Sequence, residues 1–232
     1  NNTVNTLRLW SAESIDDSFD FASFSRGDYA NAISGKYAVE AISEVLYPDD
    51  SNYSNRLLRL KQQYFFVSAG IQSIVRRFRK KHHNIKMLPE LICIHINDTH
   101  PALAVPELMR ILLDVEGFGW DEAWEMTKRT IAYTNHTIMP EALETWPVDL
   151  FRELLPRVYM IVEEINRRFC MDLEARYPND PEKIRRMAII ADGVVKMGNL
   201  AVVGSFSVNG VAKVHSELLK NVVMKDLAEY YP

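Results

Sequence analysis

The sequence predicts an α/β fold, a mainly parallel sheet with extensive helical cover. Three observations carry that expectation. Short strand-like runs alternate with longer segments of helical period. Two of those runs share one plan: Leu91–Pro101 (LICIHINDTHP) and Ile131–Pro147 (IAYTNHTIMPEALETWP) each pass from a strand through short polar side chains toward a proline. No Pro/Gly/Ser-rich boundary, internal repeat or low-complexity tract divides the chain. In open α/β sheets ligands bind at the carboxyl ends of the strands, so the two runs are also the first candidates for a site.

In order, Thr6–Ser11 alternates and reads as a strand, and Ala12–Ser25 is acidic and irregular. Ala30–Leu46 is expected to be a helix with a stripe of Ala30, Ile33, Tyr37, Ala38, Ala41, Ile42 and Leu46. Tyr47–Asn55 (YPDDSNYSN) is a turn cluster. Arg56–His82 reads as one long helix, apolar enough for burial on most sides. Its basic tail, RRFRKKHH, suits the negative end of a helix dipole. Leu91–Ile96 has the continuous apolar character of a buried parallel strand. Pro101 then opens a helix to Glu116, and Asp121–Lys128 forms another. Thr130–Thr134 is β-branched and aromatic, hence a strand. Pro140 begins a helix whose amino-terminal dipole Glu141 and Glu144 complement. Leu150–Tyr177 is a long helix with a break at Pro156, and Asp180–Ile190 is helical. Val194–Met197 and Phe206–Asn209 are short strands around a helix at Asn199–Ser205. Val211–Leu219 and Met224–Tyr230 are the last helices.

Composition narrows the function classes. The 232 residues are 47% hydrophobic, enough to bury a core without a metal or disulfide. A net charge of -4 argues against nucleic acid as a bulk partner. No apolar run approaches the ~18–20 residues of a membrane span. The opening NNTVNTLRLW lacks the basic start and apolar centre of a signal peptide. Cys93 and Cys170 both read as small core residues, which suits a reducing, cytoplasmic compartment.

The polar residues cluster after the two paired strands. Asn97, Asp98, Thr99 and His100 follow the first, and Asn135, His136 and Thr137 the second. One reading is a ligand-facing cluster. The other is helix capping, with Asp98 or Thr99 capping the helix that Pro101 begins. His95 reads as a core histidine with one ring nitrogen satisfied. There is no HExxH or paired-cysteine spacing, so Asp98, His100 and His136 have no metal-site pattern behind them. Mixed donors and acceptors of this kind suit sugar hydroxyls. Trp10, Trp120, Trp124 and Trp146 read as core rather than as sugar-stacking platforms. Glycine-rich phosphate loops are absent; Val208–Val211 (VNGV) holds a lone glycine in a strand-to-helix turn. Arg76 and Arg77 read as a solvated basic helix end rather than a phosphate clamp. Residues alone therefore indicate an α/β segment binding a polar small molecule or sugar.

Four runs carry something more specific: LRLKQQYFFVSAGIQSIVRRF, INDTHPALAVPELMR, AYTNHTIMPEALETWP and VNGVAKVHSELLK. Together they resemble the glycogen, starch and maltodextrin (α-glucan) phosphorylases, and the resemblance runs from Thr6 to Pro232 in the family's order. It implies a much longer chain of two α/β lobes with the active site between them. Residues 1–232 would then be a single incomplete α/β domain, the central and later part of the amino-terminal lobe. The implied reaction is reversible phosphorolysis of terminal α-1,4-glucosidic bonds to glucose 1-phosphate, with α-1,4-glucan and phosphate as substrates. The implied cofactor is pyridoxal 5′-phosphate, on a lysine of the carboxyl-terminal lobe outside this chain.

Residue by residue, His136 matches the family's histidine at the bound glucosyl unit. There the ring would bond the hydroxymethyl group, and the backbone carbonyl would face positive charge developing at the anomeric centre. Asp98 and His100 match a pair on the acceptor side of the cleft, and Thr137 neighbours His136. Asp49 and Asp50 fall in a mobile gate loop, with Asp50 at its acidic position. Asn209, Gly210 and Val211 match a turn on the floor of the site. Asn52 stands where regulated animal members carry a phenylalanine of an inhibitor site. Arg76 and Arg77 match a pair that binds an activating nucleotide's phosphate, which alone makes no allosteric site. Ala30–Leu46 falls where the family makes subunit contacts, implying a homodimer. The isolated segment is expected to be inactive without the rest of the phosphorylase chain. The alternative is a non-catalytic glucan-binding or interaction module.

Overall fold

The computed structural model describes residues 4–15 and 19–231. The chain divides into two compact units, one up to Ala69 and one from Gly70 onward.

The first unit is helical. Helix α1 (Phe21–Ser25) is capped by the Asp20 carboxylate, which accepts from the Ala22 and Ser23 amides at 3.0 Å each. Asp28 does the same for α2 (Tyr29–Glu44) through the Asn31 amide. Helix α3 (Tyr53–Lys81) starts inside the predicted turn cluster, because Asn52 accepts the Asn55 amide at 2.9 Å and acts as a cap. Within the loop, Asp49 accepts from the Ser51 amide and hydroxyl, and Tyr47 is left-handed at φ 57°. The strand expected at Thr6–Ser11 is not formed. Leu7 and Leu9 are each 84% exposed, and alternation makes a strand only where a neighbour supplies the ladder. Part of the acidic Ala12–Ser25 stretch, Asp16–Ser18, lies outside the described residues. The stripe expected on α2 faces outward in this chain: Ile33 and Tyr37 are exposed and only Ala32 is buried.

The second unit carries the sheets. After α4 (Leu88–Leu91), strand β1 (Ile94–Asn97) leads into α5 (Ala104–Arg110), which continues as a π-helical turn over Ile111–Val115. Helix α6 (Trp120–Thr130) feeds β2 (Ile131–Asn135). Then come β3 (Thr145–Pro147), α7 (Val148–Leu154) and α8 (Pro156–Arg176), with the chain broken at Pro156 as expected. Next are α9 (Pro181–Met187), β4 (Ile190–Ala191), β5 (Val194–Lys196) and α10 (Met197–Val203). Strand β6 (Ser207–Gly210), α11 (Lys213–Leu218), a π-helical turn at Leu219–Val223 and α12 (Lys225–Tyr230) follow.

The α/β expectation holds. Strands β1, β2 and β6 form a parallel sheet in the order β1-β2-β6, and β3, β5 and β4 form a small antiparallel one. Parallel register puts partners on one face. Ile96, Ile131, Tyr133 and Asn135 therefore share the buried face. His95, Asn97, Thr134, Ser207 and Asn209 share the other. The core lies beneath the first of these faces and between α5, α8 and α10, where Leu108, Met109, Ile161, Val162 and Leu200 are fully buried.

Several expectations need correction. The first paired strand starts later, since Leu88–Leu91 is a helical turn with Pro89 near its start. Cys93 is exposed rather than core, because β1 is an edge strand among the described residues. His95 is likewise exposed, although one ring nitrogen is satisfied as expected. Pro101 does not open α5; residues 99–105 make tight i→i+3 turns first (Ala102 N to Thr99 O, 3.0 Å; Ala104 N to Pro101 O, 2.9 Å). Pro140 begins only a three-residue 3₁₀ turn, Pro140–Ala142. Of the tryptophans, only Trp146 is fully buried; Trp10 is 36% exposed.

Candidate functional site

The site is built at the carboxyl edge of the parallel sheet, where three strand ends meet. Asp98 is the first residue past β1. Its backbone is left-handed, at φ 59°, a conformation that Asp tolerates better than most residues. Its amide donates to Thr134 O at 2.7 Å, continuing the ladder one step beyond the strand. Its carboxylate accepts from the Thr99 amide at 2.7 Å and from the Thr137 hydroxyl at 3.2 and 3.1 Å. It makes no bond to the first turn of α5, whose cap residue Leu103 has no side-chain partner. Between the two readings the residues left open, capping therefore fails for Asp98. The carboxylate ties the β1 loop to the β2 loop.

His136 lies beside the same junction. Its Nε2 faces Asn97 Oδ1 at 3.3 Å, so with the amide oxygen accepting, Nε2 carries a proton. The ring is exposed, and its second nitrogen has no hydrogen bond among the described residues. The preceding residue is fixed from the buried face. Asn135 has no exposed surface, and its Nδ2 donates to the Tyr133 hydroxyl at 2.8 Å. Burial holds that phenol far above its ordinary range, so it stays protonated. The backbone leading to His136 is thus anchored from below, while its imidazole stands clear.

The third strand joins through side chains on the opposite face. His95 Nε2 lies 2.6 Å from Thr134 Oγ1, and Thr134 Oγ1 lies 3.1 Å from Asn209 Oδ1. Asn209 Nδ2 donates to Gly210 O at 2.8 Å, which fixes its amide orientation. With Oδ1 turned toward Thr134, the threonine hydroxyl must donate to it and must accept from His95 Nε2–H. Beyond Asn209, Gly210 is buried and Val211 is 57% exposed.

The structure thus brings together Asp98, His136, Thr137 and Asn209 of the expected site residues. His100 is exposed two residues past Asp98, and Val211 ends the turn after β6. Asp50 belongs to the other unit, where its carboxylate pairs with Arg59 Nη1 at 2.6 Å. Asn97 belongs to the polar cluster the sequence marks, whereas Thr134, which also bridges the strand ends, reads only as a strand residue; its position one residue before the Asn135–Thr137 cluster is the signal that marks it. Among the described residues no group of His, Cys, Asp and Glu is arranged to hold a metal ion. No described helix is long and apolar enough to cross a membrane.

This edge offers a carboxylate, an imidazole, two hydroxyls and several amides within hydrogen-bonding reach of one another. That set can satisfy the donors and acceptors of a polyhydroxylated ligand. Comparison with known proteins gives the arrangement its lineage. A family model described as carbohydrate phosphorylase matches residues 1–232. The glycogen phosphorylase of Bacillus subtilis (strain 168) is 56% identical over 230 residues, covering 99% of this chain and 28% of that protein. The brain form of Mus musculus glycogen phosphorylase is 49% identical and the muscle form of Homo sapiens 48%, each covering 100% of the chain and 29% of the relative. The chain therefore spans less than a third of the length of these relatives. The match extends through both units and all three strand ends of the site, and the chain belongs to the carbohydrate phosphorylase family.

Proposed function

We propose that the whole protein to which this chain belongs carries out reversible phosphorolysis of terminal α-1,4-glucosidic bonds, releasing glucose 1-phosphate. This chain supplies the carbohydrate-facing loops of its site. The observation that supports this most directly is the Asp98–Thr137 bond, which locks two loops so that His136 stands exposed between them. In this reading His136 bonds the hydroxymethyl group of the glucosyl unit, and its carbonyl dipole favours the positive charge developing at the anomeric carbon. Asp98 and His100 meet the acceptor glucan. Asn209 and Val211 line the floor, and Asp50 acts from the gate loop.

The cofactor proposed for the whole protein is pyridoxal 5′-phosphate, held outside this chain. Lys196 and Lys183 do not suit a Schiff base. Lys196, whose ammonium burial pushes below its ordinary value, already donates to Arg185 O at 2.8 Å and Arg186 O at 3.4 Å. Lys183 is held by Glu229 at 2.6 Å. A homodimer and a cytoplasmic location complete the proposal; the outward stripe of Ile33 and Tyr37 on α2 supports the former.

The test is direct. Full-length protein incubated with pyridoxal 5′-phosphate, glucan and inorganic phosphate should release glucose 1-phosphate. Glucan binding without any release, in cofactor-loaded protein, would favour the non-catalytic module instead.

A further inference from the structure

We infer that His215 and Ser216 are positioning residues that clamp the Asn209–Val211 turn and so set where Val211 meets the substrate. The role rests on the functional reading above. Val211 is 57% exposed, so side-chain packing does not hold it in place. Its backbone is held instead by side chains from α11. The Val211 amide donates to His215 Nδ1 at 3.3 Å, and the Gly210 amide donates to Ser216 Oγ at 3.0 Å. The serine hydroxyl also lies 3.4 Å from Gly210 O. Both amides are thereby met by adjacent residues of one helical turn.

Three further features fit a clamp. His215 is only 7% exposed, so its ring cannot swing aside without leaving a buried slot. A backbone N–H can only donate, so Nδ1 is unprotonated and the ring proton sits on Nε2. Gly210 packs directly on the helix: a Cβ there would lie 2.8 Å from Ser216 N, 2.9 Å from His215 C and 2.9 Å from His215 Cγ. No other residue lets the turn and α11 approach this closely. On its far side Asn209 closes the turn by donating Nδ2 to Gly210 O at 2.8 Å. A helix residue with a merely structural role would be replaceable by any side chain of similar volume. A clamp requires an acceptor at the δ position.

That difference decides the experiment. In the full-length protein, wild type is compared with His215→Leu, His215→Asn and Ser216→Ala. Leucine keeps bulk without an acceptor, whereas asparagine keeps an acceptor near the place of Nδ1. Two quantities are read: amide hydrogen exchange over the peptide spanning residues 207–214, and kcat and KM for phosphorolysis. We expect His215→Leu to speed exchange at this turn about tenfold. It should lower kcat by about tenfold or more while KM for glucan changes little, because a misplaced wall weakens the transition state rather than ground-state binding. His215→Asn should recover most of both losses. If His215→Leu does not fold, Ser216→Ala makes the same comparison through the Gly210 amide. Unchanged exchange in these variants, faster exchange with unaltered kcat, or an asparagine variant as poor as leucine would each overturn the clamp. A wild-type protein without phosphorolysis would overturn the functional reading instead; exchange, which needs no substrate, would then judge the clamp by itself.

Discussion

His136 is exposed on a loop whose predecessor, Asn135, is wholly buried, and that contrast sets what its substitution does. Removing the ring leaves the Asn135–Tyr133 anchor and the Asp98–Thr137 tie intact, so the fold should survive. His136→Ala in the full-length protein is expected to lower kcat by on the order of 10²-fold, as loss of one transition-state hydrogen bond or dipole does. Circular dichroism should be unchanged, and near-normal turnover would reduce His136 to a surface residue. Asp98 shows how much of this scale the sequence held. Its place after a strand flagged it, and the residues left ligand binding and capping level. The left-handed backbone and the bond to Thr137 argue against capping, and the bond is not visible without the loop from β2. His95 shows the opposite failure. An apolar neighbourhood predicted a core position, but among the described residues β1 has a partner on one side only, and the exposed His95 bonds Thr134.

Among the elements, the end of α10 comes close to α5 at one glycine. Gly204 ends α10, and a Cβ there would lie 2.5 Å from both Cγ atoms of Val105. Gly204→Ala should destabilise the protein by roughly 1–3 kcal/mol, read as a lower denaturant midpoint. Adding Val105→Ala should recover part of the loss, since it removes the atoms that clash. On α8, Arg167 and Arg168 both bond Glu164 and hold its carboxyl down at about 2, below its usual value of 4.5. A depressed carboxyl stabilises the fold above the unfolded value and loses that contribution as pH falls toward the folded one. The pair is partly exposed, so its worth is screened to less than about 1 kcal/mol. Glu164→Gln should therefore melt slightly below wild type at neutral pH, with the gap closing between about pH 4.5 and 2. Long helices were the most legible elements, because periodicity over α3 and α8 is strong and Pro156 marks its own break. The sequence marks β5, as the strand Val194–Met197, but not its hairpin partner β4. The hairpin's turn is Asp192–Gly193, both left-handed, which is a strong hairpin signal. A strand of two residues is too short to show a period, so the helical reading of the preceding segment runs on through Ile190.

For the whole molecule, the relevant fact is that this chain covers 28–29% of the relatives it matches. The strand-end cluster it carries holds the residues proposed to face carbohydrate, and Lys183 and Lys196 are engaged by Glu229 and by backbone carbonyls. The isolated chain is accordingly expected to show no phosphorolysis with pyridoxal 5′-phosphate, glucan and phosphate; measurable glucose 1-phosphate would refute that. A parallel sheet is normally covered on both faces. Here His95, Asn97, Ser207 and Asn209 leave one face exposed, and a cavity of about 610 Å³ runs along β6 beside Ser207, Val208 and Asn209. The alternation of strands and helices made the α/β class legible, and the two paired runs the shared strand ends. The open face was not, because a sequence read strand by strand does not say which neighbours a sheet lacks.

The row formed by His95, Thr134 and Asn209 has a consequence of its own. Every hydrogen in it points the same way, from β1 across β2 to β6 and on to Gly210 O. Because Gly210 O can only accept, the row has one setting that keeps all its bonds. Turning the Asn209 amide over would set its oxygen against the Gly210 carbonyl and would oblige the threonine hydroxyl and the histidine proton to turn as well. Three strands are thereby wired in one direction, and the carbonyl at the β6 end sets the polarity that the imidazole at the β1 end follows.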